Sequence, residues 1–508
     1  MSSSPLPPVR RALVPGIVWL VWLGAAACAQ DAARPRACWP QFRGPNGSGV
    51  APDGMKLPLH FGPDRNLLWR TPLPSGHSSP CIWGERVFVT GFERPEKRLE
   101  TICLDRHSGR ILWRRAAPAR TTERCHAIST PANPTPATDG QRVCVYFGSF
   151  GLLCYNFTGD EQWRLPLPVP ATADGTGASP VVAGDLVLLN CAYPPKPCLL
   201  AVDRRTGRVA WKREIAPNYL GLPGHATPVL RSHEGADEVV LHTPLRLAGY
   251  RLKDGAERWW VEVATTGCST PAVGEGRLFA ATWFHGGEPG DRVQMPAFER
   301  LLERHDKDGD GALSKREFPP DLSFIRRPES DDVYGADLKL IEFFDAFDTD
   351  KDGRLNQEEW ARVVAGPFNR VDHGLLAVGP GGSGNVGGSH ILWKETRGVA
   401  EVPSPLLYQR RVYMVRDGGT ASCLDAQTGR LLWRERLGAV GGYYASPVAG
   451  DGKVYFASAR GVVTVLAAGD AFRRLAVNDL RESACATPAI AEGKLYVRTA
   501  RHLYAFGE

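Results

Sequence analysis

Long hydrophobic runs are almost missing from this sequence. Only one, from Ala12 to Ala27, is long and apolar. That excludes a protein crossing a membrane many times with helices, each of which needs about 20 apolar residues. Methionine is scarce, four residues in 508, while turn residues are frequent, which fits a β-rich chain better than a helical one. The 55 Gly and 41 Pro follow no Gly-X-Y period, so collagen is excluded. There is no Cys-Cys dipeptide, no Cys-x-x-Cys-His haem site, no phosphate loop, no His-Glu-x-x-His and no Gly-x-Ser-x-Gly. No basic stretch interleaved with aromatics points to nucleic acid. A hydrophobic content of 43% with 9% aromatics excludes a wholly disordered chain.

The apolar run belongs to a leader. Arg10 and Arg11 precede it and Ala25-Ala26-Ala27-Cys28-Ala29-Gln30 ends it. This pattern predicts a secretory signal peptide over residues 1–30. Cleavage after Ala29 would release a soluble protein, whereas processing at Cys28 would leave a lipid anchor. Either way the chain is expected to be exported, in the periplasm or cell envelope. Without Cys28 eleven cysteines remain, an odd number, in a compartment that permits disulfides. Cys191 with Cys198, and Cys144 with Cys154 across a turn, are the nearest local pairs. Cys103, Cys154 and Cys423 share one repeat position where another repeat has Ala201, which reads as a small buried core residue.

That repeat organises the rest. Each unit opens on Ser/Thr-Pro, at Ser79, Thr135, Ser179, Thr227, Thr270, Ser404, Ser446 and Thr487. Two β runs follow, then Thr/Ser-Gly-x-x-x-Trp, clearest at Ser108–Trp113, Thr206–Trp211 and Thr428–Trp433. The openings are 56, 44, 48, 43, 134, 42 and 41 residues apart. A four-stranded propeller blade takes roughly 40–50 residues. The spacing predicts an eight-bladed, all-β propeller with an insertion in the fifth blade. The last unit lacks its Trp strand, and Asn66-Leu67-Leu68-Trp69-Arg70, ahead of the first unit, can supply it and close the ring. In the seventh unit Ala471-Phe472-Arg473-Arg474 replaces the Trp strand, so that blade is expected to pack less well.

The Asp-x-x-Thr-Gly-x-x-x-Trp unit resembles the pyrroloquinoline-quinone-like (PQQ-like) β-propeller repeat family. That family includes quinoprotein dehydrogenases and an outer-membrane assembly-factor lipoprotein. The resemblance covers roughly residues 39–284 and 372–506, and Trp39-Pro40-Gln41-Phe42-Arg43-Gly44-Pro45 is similar to the start of exported propellers of this type. It implies the fold strongly and the function weakly. Quinone-dependent members place an adjacent Cys-Cys disulfide over the quinone, which this sequence lacks, and use a Glu, an Asn and an Asp around a calcium, which no motif here assigns.

The insertion, residues 285–371, carries the clearest chemistry. Asp306, Asp308, Asp310, Gly311 and Glu317 form one Asp-x-Asp-x-Asp-Gly loop with Glu at position 12. Asp348, Asp350, Asp352, Gly353 and Glu359 form another. This is the EF-hand pattern. Three carboxylates wrap one ion, and position 7 offers a backbone carbonyl, from Ala312 and Arg354. Position 9, Ser314 or Asn356, adds a ligand directly or through water. The bidentate Glu selects Ca²⁺ over the smaller Mg²⁺. Leu313 and Leu355 should pair between the loops. Pro319-Pro320 cut the first exit helix short, which argues for a structural or docking module rather than a sensor.

Residues 296–366 carry a net charge of −7, against +10 for the chain outside this segment and residues 1–36. An anionic ligand or self-docking of the appendage would suit that split. Two residues before the openings lie His77, His225, Cys268, Tyr444 and Cys485, and His126 precedes Thr130-Pro131. These should ring one mouth of the central channel and could bind a metal or a polar ligand, or simply cap strand ends.

The sequence therefore reads as a signal peptide (1–30), a propeller in two parts (31–284 and 372–508) and an EF-hand pair (285–371). The leading function is an exported, non-catalytic scaffold that binds a protein or polar ligand on a propeller face and holds two Ca²⁺, with no catalytic residue assigned. The alternative is a PQQ-dependent oxidoreductase of alcohols or sugars. The missing Cys-Cys argues against PQQ as a cofactor.

Overall fold

The computed structural model describes Met1 and residues 38–508, apart from 195, 217, 219–220, 285–286, 289, 327–336 and 366–371. The signal peptide and Cys28 lie outside the described residues. Eight sheets, antiparallel but for Gly384–Asn385 alongside Glu257–Glu262, follow one another along residues 67–506 as the blades of a propeller. Blade 1 contains Cys81–Trp83, Arg86–Glu93, Arg98–Asp105 and Ile111–Ala116. In blade 8 the outermost strand is Leu67–Pro72, antiparallel to His502–Phe506, so the start of the fold closes its end. That pairing covers the edge of His502–Phe506, which would otherwise be left open.

The repeat motif is a packing device between neighbouring blades. Each Trp lies opposite a small residue of the adjacent strand, Cys103 for Trp113, Cys154 for Trp163, Ala201 for Trp211 and Cys423 for Trp433. The ring then reaches across to the next blade. Trp163 lies over Gly207, where a Cβ would come within 2.7 Å of the indole, and Trp113 lies over Gly159 in the same way. Gly207 also has φ +74°, so its lack of a Cβ is required twice. The indole N–H donates to a carbonyl of that next blade, from Trp69 to Arg106 (2.9 Å), Trp113 to Phe157 (3.0 Å) and Trp163 to Arg204 (2.9 Å). A buried indole needs such a partner. The three cysteines are thus buried core residues.

The opening Ser/Thr has a second role. The backbone N–H of Ser79 donates to the Thr135 hydroxyl at 2.9 Å. Thr135, Ser179, Thr227, Thr270, Ser404 and Ser446 continue the chain to Thr487 at 2.9–3.1 Å, each link buried. A belt of hydroxyls therefore ties the innermost strands around the hub. The proline that follows has no N–H to leave unpaired on the edge facing the hub.

The hub is filled from one side by the chain's own N-terminal arm. Cys38–Trp39 adds a fifth strand to blade 1, inside Cys81–Trp83. Pro40 accepts the Thr138 N–H of blade 2 (2.8 Å), Asn46 donates to Leu230 of blade 4 (3.1 Å) and Val50 bridges Ala449 of blade 7. Arg43 is fully buried and donates to the Pro405 carbonyl of blade 6 at 2.6 Å. The same arm corrects the expectation for the seventh unit. There the Trp position is Ala476, opposite Val465. Phe61 fills the space, with ring centroids 5.0 Å from Phe506 and 6.4 Å from Tyr455. Its N–H donates to Asn478 Oδ1 (3.0 Å), and Tyr455 Oη donates to Pro58 O (2.9 Å). In blade 7 the missing indole is thus replaced by a ring from the far end of the chain, 417 positions before Asn478.

Blade 5 has the strand order Ala272–Gly274, Arg277–Ala281, Leu375–Val378, Ile391–Glu395. Between its second and third strands lie the helices Phe298–His305, Phe344–Phe347 and Gln357–Ala365. Apolar residues of these helices and of the segments that link them, among them Phe318, Phe324, Leu355 and Trp360, form one core with Phe279, Trp283 and Val412 of blades 5 and 6.

Candidate functional site

Two places bring chemistry together. The first is the pair of acidic loops. The helix Phe298–His305 runs into the first loop and Phe344–Phe347 into the second, and Gln357–Ala365 leaves the second. After the first loop, Ser323–Arg326 is a strand paired with Asp337–Lys339, in keeping with the break at Pro319-Pro320. Leu313 pairs with Leu355 and Ser314 with Arg354 in a two-stranded contact. Both leucines are fully buried beneath it.

The two loops are wound alike. The N–H of Gly311 donates to Asp306 Oδ2 (3.0 Å) and that of Gly353 to Asp348 Oδ2 (2.9 Å), so the position-6 glycine ties back to position 1 in each. Glu317 accepts from the amides of Lys307 and Ser314 (3.0 Å each) and from Ser314 Oγ (2.7 Å). These bonds, the hydroxyl first, hold its carboxyl down at about 2. Glu359 accepts from the Thr349 amide (2.7 Å) and the Asn356 amide (3.2 Å). Asn356 Oδ1 caps the next helix by accepting from Glu358 and Glu359, both at 3.0 Å. Ligand atoms of Asp306, Asp308 and Glu317 lie within 4.8 Å of one another, and so do those of Asp348, Asp350 and Asp352. Asp348 is buried, and its Oδ1 has no hydrogen-bond partner among the described residues. A buried carboxylate oxygen without a partner is costly unless a cation meets it.

The second place is the mouth of the hub, on the face where the Ser/Thr-Pro openings lie. A cavity of about 380 Å³ is lined by His77, Tyr444 and Cys485, together with Arg94, Arg460 and Thr130. The five expected ring residues are all half-buried. Three of them line this cavity, while His225 packs against Tyr193 at 6.0 Å between ring centroids. Burial, helped by Arg498 and Arg94, pushes His77 down to about 4, so its imidazole is neutral at pH 7. Burial likewise lowers His225 and raises Cys268 to about 12 and Cys485 to about 11. Thiols in that state are poor nucleophiles. Among the described residues no carboxylate lines the cavity. His126 accepts the Ile128 amide at 3.3 Å, which caps a turn. Nothing in the motif pattern pointed to Glu123, buried beside Thr176 (3.0 Å) with its carboxyl raised to about 7 by desolvation.

All eleven described cysteines are free thiols. Cys144 faces Cys154 with sulfurs 3.6 Å apart, and Cys191 is the strand partner of Cys198.

A family model described as outer membrane protein assembly factor BamB matches residues 61–217, 98–283 and 346–497. The chain belongs to this family. Solved structures share the fold at low identity. BamB from Moraxella catarrhalis has 11% identity and a TM-score of 0.50, over 87% of this chain and 98% of that one. The quinohemoprotein alcohol dehydrogenase from Comamonas testosteroni has 11% identity and a TM-score of 0.54, over 96% and 83%. A europium-containing methanol dehydrogenase has 10% identity and a TM-score of 0.54, over 93% and 98%. No curated protein matches the chain. At such identities the likeness speaks for the propeller and leaves the chemistry to the residues present.

Proposed function

We propose that this protein is an exported, non-catalytic propeller that binds a partner or polar ligand and carries two EF-hand Ca²⁺ sites in its inserted module. The observation that carries the calcium reading is the orphaned, buried Oδ1 of Asp348 inside a trio of carboxylates. A divalent cation supplies the missing partner. When bound, Ca²⁺ would be held by Asp306, Asp308, Asp310, Ser314 and Glu317, and by Asp348, Asp350, Asp352, Asn356 and Glu359, with the carbonyls of Ala312 and Arg354. Its role in this reading is structural, because the loops share one core with blades 5 and 6. The scaffold reading is supported by the family and by a hub occupied by the chain's own arm. An envelope location agrees with the name of the matching family.

The mouth cavity suits a polar ligand with negative charge, since guanidinium, imidazole and hydroxyl groups line it without a carboxylate. It does not suit a quinone held with calcium. Among the described residues, the only trios of His, Cys, Asp or Glu spaced to share a metal ion are those of the two loops.

The test is calorimetric titration of the full chain with Ca²⁺. Two sites with Kd on the order of 10⁻⁴ to 10⁻³ M are expected for an extracellular-type module. Absence of binding up to several millimolar would defeat the calcium reading. Titration with PQQ in millimolar Ca²⁺, followed by absorbance and dye reduction with alcohols and sugars, tests the scaffold reading, which tight binding with turnover would overturn.

A further inference from the structure

Among the differences between the two loops, the one at position 7 acquires an effect from the pairing between them. Position 7 is Ala312 in the first loop and Arg354 in the second. The antiparallel contact sets Arg354 directly opposite Ser314, position 9 of the first loop. The Arg354 side chain therefore reaches across the contact into its neighbour. Its guanidinium pairs with Asp310 and lies 3.5 Å from Asp308, the carboxylates at positions 5 and 3 of the first loop. Asp310 is correspondingly absent from the first trio, Asp306, Asp308 and Glu317, whereas in the second loop positions 1, 3 and 5 all converge. Nothing can reach the other way, because Ala312 ends at Cβ.

We propose that Arg354 is an internal counter-ion of the first loop, so that Ca²⁺ fills the second loop first and enters the first only by displacing the guanidinium from Asp308 and Asp310. This rests on the calcium reading above and goes beyond it, since the EF-hand pattern alone treats the two loops as equals. The second loop has what a first-filled site needs, three converged carboxylates and the unpartnered Oδ1 of Asp348. The first loop already has a cation on two of its ligands. No bond is made or broken in the exchange. One cation replaces another on two carboxylates, and the guanidinium turns out to water, where Arg354 is already partly exposed. The contribution of Arg354 to the second site is its backbone carbonyl, which survives any substitution of the side chain.

The experiment is calorimetric titration of the full chain with Ca²⁺. Four variants are compared with the parent: Glu317→Gln, Glu359→Gln, Arg354→Gln and Arg316→Gln. The first two delete one site each and so assign the steps. The parent should show two unequal steps, the tighter lost in Glu359→Gln and the weaker in Glu317→Gln. Arg354→Gln should tighten the weaker step about three- to tenfold, the scale of one or two exposed ion pairs, and leave the tighter step in place. Arg316→Gln removes the same charge from the first loop at an exposed residue and measures the unspecific effect of charge. The proposal is overturned if Arg354→Gln shifts the weaker step no more than Arg316→Gln, or if the first loop is the tighter site. Binding by neither loop in the parent would instead remove the calcium reading on which the proposal rests.

Discussion

Phe61 should behave as the missing tryptophan of blade 7. It is 3% exposed and sits between Tyr455 and Phe506, in the gap left by Ala476. Phe61→Ala leaves a cavity between two blades whose backbones are held by their own ladders, so the site cannot collapse far. Truncating a buried Phe in such a setting costs about 3–5 kcal/mol. The unfolding entropy of a unit this large is on the order of 1 kcal/mol per degree, at roughly 2 cal/mol/K per residue. The midpoint of thermal unfolding should therefore fall by about 3–5 °C, read by calorimetry on the purified chain. Leu68→Ala, at a side chain 46% exposed on the closing strand that follows the arm, is the control and should move it by less than about 1 °C. A Phe61→Ala midpoint within a degree of the parent would refute the idea that the arm completes the blade 7 core.

Gly207→Ala should destabilise by more than about 2 kcal/mol, since its Cβ would strike the Trp163 indole at positive φ. Gly54→Ala, also at positive φ but with nothing within 4 Å, should cost about 1 kcal/mol, and denaturant melts compare the two. Glu123 is raised to about 7 when folded, so its contribution is fully present below its unfolded value near 4.5 and is lost as pH rises through 7. Glu123→Gln should remove that loss and gain stability relative to the parent from pH 5 to 8, as chemical melts across pH would read. His77 runs the opposite way. Its folded value of about 4 lies below the unfolded 6.5, so stability present above pH 6.5 is lost as pH falls toward 4, and His77→Gln should flatten that limb. Asp306→Ala with Asp348→Ala should abolish Ca²⁺ binding by calorimetry while the far-ultraviolet circular dichroism keeps its β signature.

Much of this molecule could be read from the chain because its repeats are local. The Ser/Thr-Pro openings and the Thr-Gly-x-x-x-Trp closings recur at blade spacing, and each marks a turn or strand defined by residues close in sequence. The closing strand at Leu67–Pro72 was legible for the same reason, as a Trp strand with no unit of its own. The acidic loops were legible because a twelve-residue pattern contains every proposed ligand, and Leu313 with Leu355 followed from their symmetry. The hydroxyl belt was in plain view as a residue type without a stated purpose. Its purpose depends on hydrogen bonds between residues 41 to 134 positions apart.

What the sequence by itself determined was the number of blades, the point of insertion and the composition of the acidic loops, since all three are written in short-range spacing. The tertiary structure alone decided where the arm of residues 38–62 goes, that Phe61 replaces an indole, which mouth residues share a cavity, and that Arg354 reaches into the neighbouring loop. Each of these is a contact across a ring or between two loops. The free energy of such a contact depends on what surface the rest of the fold leaves uncovered, and no local pattern encodes that.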